Sequence, residues 1–189
     1  MKIFLTDQKT KFKKYLALLK DMPVMEYDVK NLNEKISTIN INSSKSIDEL
    51  NLDFFFNYEL FPENIITAYS QWNDEKRTIE VGDTIVQQAF IPPIKSFSQK
   101  IIFGVRINEV FNSSDRRGFS YETLAGHVEM GVSKFTVENL NEQIIFKIHT
   151  FSKPGSFLTK LLGPIFSVPY QTFCTKKCLN NVKEQLEKQ

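Results

Sequence analysis

The sequence predicts an α+β domain: a curved antiparallel sheet wrapped around a long C-terminal helix, with a helical extension at the N-terminus. Three observations predict it. Four runs of alternating apolar and polar residues between 101 and 152 are separated by turn-forming residues, the mark of an antiparallel meander. Pro154-Gly155 then breaks the pattern, and apolar residues recur beyond it at helical spacing. Phenylalanine is abundant, 17 residues against a single Trp, and such side chains either fill a thick core or line an apolar pocket.

The 189 residues suit one folding unit with a terminal extension. We divide them into 1–52, an N-terminal helix with an Asn/Ser-rich connection, and 53–189, the main domain. A formal net charge of +2 offers no concentrated basic surface for nucleic acid. Two cysteines, Cys174 and Cys178, are too few for a disulfide framework. No apolar run has membrane-spanning length, and Lys13 and Lys14 interrupt any signal-peptide core. The expectation is a cytoplasmic protein with no stable membrane insertion.

Taken in order, Asp7 is placed to cap a helix over 8–21, with Phe12, Tyr15, Leu16 and Leu19 along one side. Lys11, Lys13, Lys14 and Lys20 crowd the rest. A basic amphipathic helix can lie on an anionic membrane, but a packed stripe with a solvated face is the simpler reading. Ile39 and Ile41 alternate with Asn, which suits a short edge strand or a loop. The aromatic run Phe54, Phe55, Phe56 and Tyr58 reads as a strand over 53–60. Pro62 then suits the first turn of a short helix carrying Ile65, Ile66, Tyr69 and Trp72. Segments 78–81 and 84–90 look extended, the second ended by Pro92 and Pro93.

The meander comprises 101–111, 117–124, 127–138 and 143–152. In its first strand Ile101, Phe103, Val105 and Ile107 oppose Ile102, Gly104, Arg106 and Asn108. In its last, Ile144, Phe146 and Ile148 should face the closing helix, with Lys147 and His149 outside. Ser156 can cap that helix, where Phe157, Leu158, Leu161, Leu162, Ile165 and Phe166 form an apolar face. Pro164 and Pro169 should kink or divide it, and Phe173, Leu179, Val182 and Leu186 continue it.

Chemistry concentrates at the second hairpin. Strand period places Phe119, Tyr121 and Thr123 on one face and His127, Glu129 and Gly131 on one face of the next strand. A tight turn at Ala125-Gly126 would bring Tyr121, Thr123, His127 and Glu129 together. Imidazole, carboxylate and phenol can serve as acid, base and orienter. The alternative is a buried polar cluster that satisfies itself and fixes register. A metal would need His149 as third ligand, and its strand phase argues against that. Cys174 and Cys178 lack the second ligand pair of a zinc site and read as inert thiols. Arg116 and Arg117 could clamp an anion at a pocket rim or simply be solvated turn residues. Arg106 reads as a surface residue.

The run Gly118-Phe119-Ser120-Tyr121-Glu122-Thr123-Leu124-Ala125-Gly126-His127-Val128-Glu129-Met130-Gly131 resembles the signature of the DUF1990 family, also called UPF0548. Thr150-Phe151-Ser152-Lys153-Pro154 resembles its segment after the last strand, and Gly163-Pro164 and Tyr170-Gln171 match a pattern in its closing helix. The resemblance covers roughly 54–180. That family is similar to the START-like helix-grip superfamily (SRPBCC) of apolar-ligand carriers, cyclases and hydrolases, so the resemblance implies a hydrophobic cavity between sheet and helix.

The leading expectation is a module binding a small apolar or amphipathic molecule, without cofactor or metal. Phe119, Phe135, Phe146 and Phe157 would supply contact area, and Tyr121, Thr123, His127 and Glu129 would orient a polar head. The alternatives are an enzyme (hydrolase, lyase or isomerase) using His127 and Glu129, with Tyr121, as acid and base, and a structural protein with a filled interior.

Overall fold

In the computed structural model, which describes residues 2–93, 97–154 and 163–189, an antiparallel sheet carries helices on both faces. Its strands are β1 (Lys2–Phe4), β2 (Asn33–Asn40), β3 (Ile66–Ser70), β4 (Thr84–Ile91), β5 (Gln99–Asn112), β6 (Arg116–Thr123), β7 (Glu129–Leu140) and β8 (Gln143–Pro154). They lie in the order β2-β8-β7-β6-β5-β4-β3, with β1 paired to β5. The helices are α1 (Phe12–Lys20), α2 (Asp53–Phe56), α3 (Gln71–Glu75) and α4 (Gly163–Glu187).

The meander β5 to β8 forms as its alternation requires. Phe146 is fully buried on the inner face, with Ile144 and Ile148 beside it. His149 and Lys147 point the other way, His149 Nε2 to Glu34 at 2.7 Å and Lys147 to Glu138 at 2.7 Å. The inner core gathers Phe55, Ile107, Phe119, Val137 and Phe146 against Cys178, Val182 and Leu186 of α4. Phe55 holds it together, its ring edge-on to Phe119 at 5.5 Å and to Phe146 at 5.7 Å.

The outer face is covered by α1, whose Phe12, Tyr15 and Leu16 pack on Val86 and Ile102. Arg106, read as a surface residue, instead reaches under this helix. Its guanidinium donates to the carbonyls of Leu19 (3.2 Å), Lys20 (2.8 Å) and Met22 (3.2 Å), tying down the end of α1 and the turn after it. Lys13 pairs with Asp74 and Lys20 with Glu75, so these two lysines meet the chain's own carboxylates. Among the described residues no helix is long and apolar enough to cross a membrane.

Several expectations change. The aromatic run at 53–60 begins as a helical turn rather than a strand: Asn57 N–H donates to the Asp53 carbonyl at 2.8 Å, and Asn51 Oδ1 receives the Asp53 N–H. Tyr58 follows in the left-handed region, φ 63°, and reverses the chain. Pro62 opens a turn, not a helix. Ile66–Ser70 joins the sheet as β3, where its β-branched residues pair with β4, and only Gln71–Glu75 is helical. Thr78 to Glu80 is a loop, held by the buried Asp83 carboxylate, which takes Arg77 and the Glu80 N–H (2.8 Å). β2 is longer and earlier than the Ile39–Ile41 alternation suggested, and pairs along β8. The described part of the closing helix runs unbroken through Pro164 and Pro169. Ser156, Phe157, Leu158, Leu161 and Leu162 lie outside the described residues, and no side chain is described for Ile165 or Phe166.

Candidate functional site

The second hairpin is where sequence and structure diverge most usefully. β7 begins at Glu129, so His127 sits in the connection and not on the strand. A neighbouring segment lengthens that connection. Pro23 accepts the Ala125 N–H at 2.8 Å and Val24 bridges to Leu124, so the chain turns late, at Gly126 (φ 82°). His127 N–H closes the turn onto the Leu124 carbonyl at 3.0 Å.

The His127 ring therefore folds back on its own chain. Its Nδ1 lies 3.0 Å from both the backbone nitrogen and the carbonyl oxygen of Glu129. A backbone N–H left unpaired costs more than a carbonyl, so Nδ1 accepts and the proton resides on Nε2. That Nε2 is buried with no hydrogen-bond partner, and the ring stands edge-on to Phe103 with centroids 4.3 Å apart. Burial drives its pKa down to about 3, so the imidazole is neutral.

A cavity of about 180 Å³ opens between the inner face of the sheet and the Tyr170–Thr175 stretch of α4. Its apolar wall is Phe61, Ile66, Ala89, Ile91, Phe103, Val128, Phe135 and Ile148. Its polar wall comprises Lys35, Gln87, Tyr121, His127, Glu129, Ser133, Thr150, Ser152, Tyr170, Gln171, Cys174 and Thr175. Burial raises the Glu129 carboxyl pKa, against the opposing pull of hydrogen bonds from Ser152 and Gln171 and of the Lys35 charge. Burial also pushes Tyr121 up to about 12 and Cys174 up to about 11, which keeps both neutral. Tyr121 belongs to a short chain: the Gln87 amide donates to the Tyr58 hydroxyl, which donates to Tyr121 at 3.4 Å.

Of the residues singled out from the sequence, Tyr121, His127, Glu129 and Phe135 line this cavity. Phe119 and Phe146 do not; both are fully buried in the core around Phe55. Thr123 is spent on structure. Its Oγ1 accepts the Gly131 N–H at 3.0 Å and donates to the Gly131 carbonyl at 3.3 Å, extending the β6–β7 ladder by a side chain. Phe157 lies outside the described residues. Arg116 and Arg117 stack over Phe111 and Phe56, away from the cavity. Among the described residues no three His, Cys, Asp or Glu side chains group as metal ligands.

Sequence reasoning did not place Lys35, Gln87 or Ser133 at the site, and it read Cys174 only as an inert thiol. Gln87 had a signal: it is a polar residue in a strand, Thr84–Ile91, buried at every position. Ser133 shares the β7 phase of Glu129 and Phe135 and is open to the same reading. Lys35 and Cys174 come from elements distant in sequence, and no local pattern joins them.

The family comparison bears on the same stretch. The family described as "Domain of unknown function (DUF1990)" matches residues 52–181. The chain belongs to the DUF1990 family. Within this DUF1990 domain the matched range takes in every cavity residue but Lys35. The fold is similar to that of hypothetical protein jhp0584 from Helicobacter pylori, solved by crystallography, with a TM-score of 0.51 over 87% of this chain and 97% of that one. Identity is 11%, so the likeness is one of fold alone. Among curated proteins none matches the chain.

Proposed function

We propose that this DUF1990 domain is a helix-grip module that binds a small, largely apolar molecule carrying one polar head, in the cavity between sheet and α4. One observation carries the reading: the half-buried Glu129 carboxyl lines a cavity with one apolar wall, and its surroundings raise its pKa. Burying a carboxyl is costly, and a filled structural core has no use for one beside empty space. Pockets with apolar walls and a few convergent polar groups are the usual form of small-molecule sites. Phe61, Phe103 and Phe135 supply contact area, and Tyr121 and Glu129 meet the head. His127 acts through Glu129, its Nδ1 fixing the start of β7. The neutral thiols of Cys174 and Cys178 suit a reducing, cytoplasmic setting.

The raised pKa of Glu129 favours acid–base chemistry as the second reading, with Glu129 rather than His127 as the proton carrier. Native mass spectrometry of protein purified from cells tests the first. We expect a small molecule retained until denaturation and lost from a Phe135→Ala variant. Protein that carries no extra mass, and whose melting temperature no apolar compound raises, overturns the binding reading.

A further inference from the structure

We propose that the ligand's polar head is a neutral hydroxyl, on an apolar body about the size of a substituted benzene. This rests on the binding reading above and adds the chemical class. The argument is one of donors and acceptors. Gln87 spends an amide N–H on the Tyr58 oxygen, so the Tyr58 proton goes to the Tyr121 oxygen. Tyr121 lines the cavity with its own proton left to donate. Glu129 lines the same cavity, and the two interact electrostatically. A head between them must accept from a phenol and donate to a carboxyl oxygen. A hydroxyl does both. An ammonium has no lone pair for Tyr121, and a carboxylate has no proton for an ionised Glu129 and meets it with a like charge.

Charge points the same way. Lys35 stands at the exposed rim of the cavity, its Nζ donating to Thr172 Oγ1 at 3.3 Å, and its charge acts on Glu129, so the rim already supplies one cation near the one carboxyl. An ionic head would add an unmatched charge to a partly buried site. Size follows from volume. A dry cavity of roughly 150 Å³ admits benzene, and this one has about 180 Å³.

Four probes of one body test this by ligand-observed NMR on the full chain at neutral pH: toluene, benzyl alcohol, benzylamine and benzoate. Benzyl alcohol should bind about five- to tenfold more tightly than toluene, and the two ions more weakly than toluene. Tyr121→Phe should erase the advantage of the alcohol over toluene. Equal binding of toluene and the alcohol, or tightest binding of either ion, overturns the hydroxyl assignment but leaves the cavity reading standing. Failure of all four probes, toluene included, overturns the binding reading itself. The ranking on the unaltered chain decides the matter even if Tyr121→Phe does not fold.

Discussion

His127 and Glu129 are neighbours whose burial shifts their proton affinities in opposite senses for stability. The folded imidazole has a pKa of about 3 against an ordinary value of 6.5. Between those limits the unfolded chain binds a proton that the folded chain refuses. This contribution is therefore full above pH 6.5 and is lost as pH falls toward 3, at about 1.4 kcal/mol per unit of difference. Glu129 runs the other way. Its folded pKa is raised above 4.5, so its protonated form stabilises the fold at low pH, and that gain is lost as pH rises through the folded value. His127→Asn keeps an acceptor for the Glu129 N–H and removes the titration. Denaturant melts across pH should show a shallower acid limb in this variant than in the parent. His127→Ala, lacking the acceptor, should also cost about 1–3 kcal/mol at neutral pH. An unchanged acid limb in His127→Asn would mean the ring is solvated in the folded protein.

The β6–β7 hairpin explains why the signature stretch carries glycine at 118 and 131 and threonine at 123. Gly131 has φ 144°, and a Cβ there would lie 2.0 Å from the Phe151 carbonyl oxygen of β8. Gly118, at φ 153°, would meet the Phe135 oxygen at 2.1 Å. Neither neighbour is a flexible side chain, so strands must move apart. Gly131→Ala should cost upwards of about 2 kcal/mol in thermal or denaturant melts and disturb the cavity wall at Glu129 and Ser133. Thr123→Val, nearly isosteric, should cost about 1–3 kcal/mol because the buried Gly131 N–H loses its acceptor. A neutral Gly131→Ala would show that β7 and β8 are not packed as closely as described. The meander was legible because period-two alternation and turn residues are local signals, and the phase of Phe146 against His149 followed from them. The segment from Asp53 to Ser70 was not. A run of aromatics fits a strand or a buried helical turn equally well, and the choice is made by Asn51 and by pairing to β4. For the site, Tyr121, Glu129 and Phe135 came from strand phase. His127 was displaced off the strand by Pro23 and Val24, a contact across about a hundred residues that no local pattern encodes.

At the scale of the molecule, residues 1–52 enter the sheet at both ends of the meander. β2 runs antiparallel along β8 from Asn33–Ser152 to Asn40–Ile145, and without it β8 presents an open edge of unpaired backbone. α1 covers Val86 and Ile102 on the outer face, and Arg106 donates to carbonyls at and just beyond the helix C-terminus. Lys35 of β2 lines the cavity, and Pro23 shapes the turn that carries His127. The family match begins at residue 52, which makes a 53–189 fragment the natural piece to express. We expect that fragment to fail. It leaves an aromatic and aliphatic patch uncovered, a guanidinium without acceptors, and an edge strand free to pair with another chain. It should be aggregation-prone and lack the cooperative melt of the full chain, whereas a chain shortened only at its last residue, Gln189, should melt cooperatively. Adding 1–52 in trans should restore solubility if the two parts dock as they do in the intact sheet. A soluble 53–189 fragment with a cooperative transition near that of the full chain would show that the first 52 residues decorate a self-sufficient domain, and that the cavity needs neither Lys35 nor the Pro23 contact.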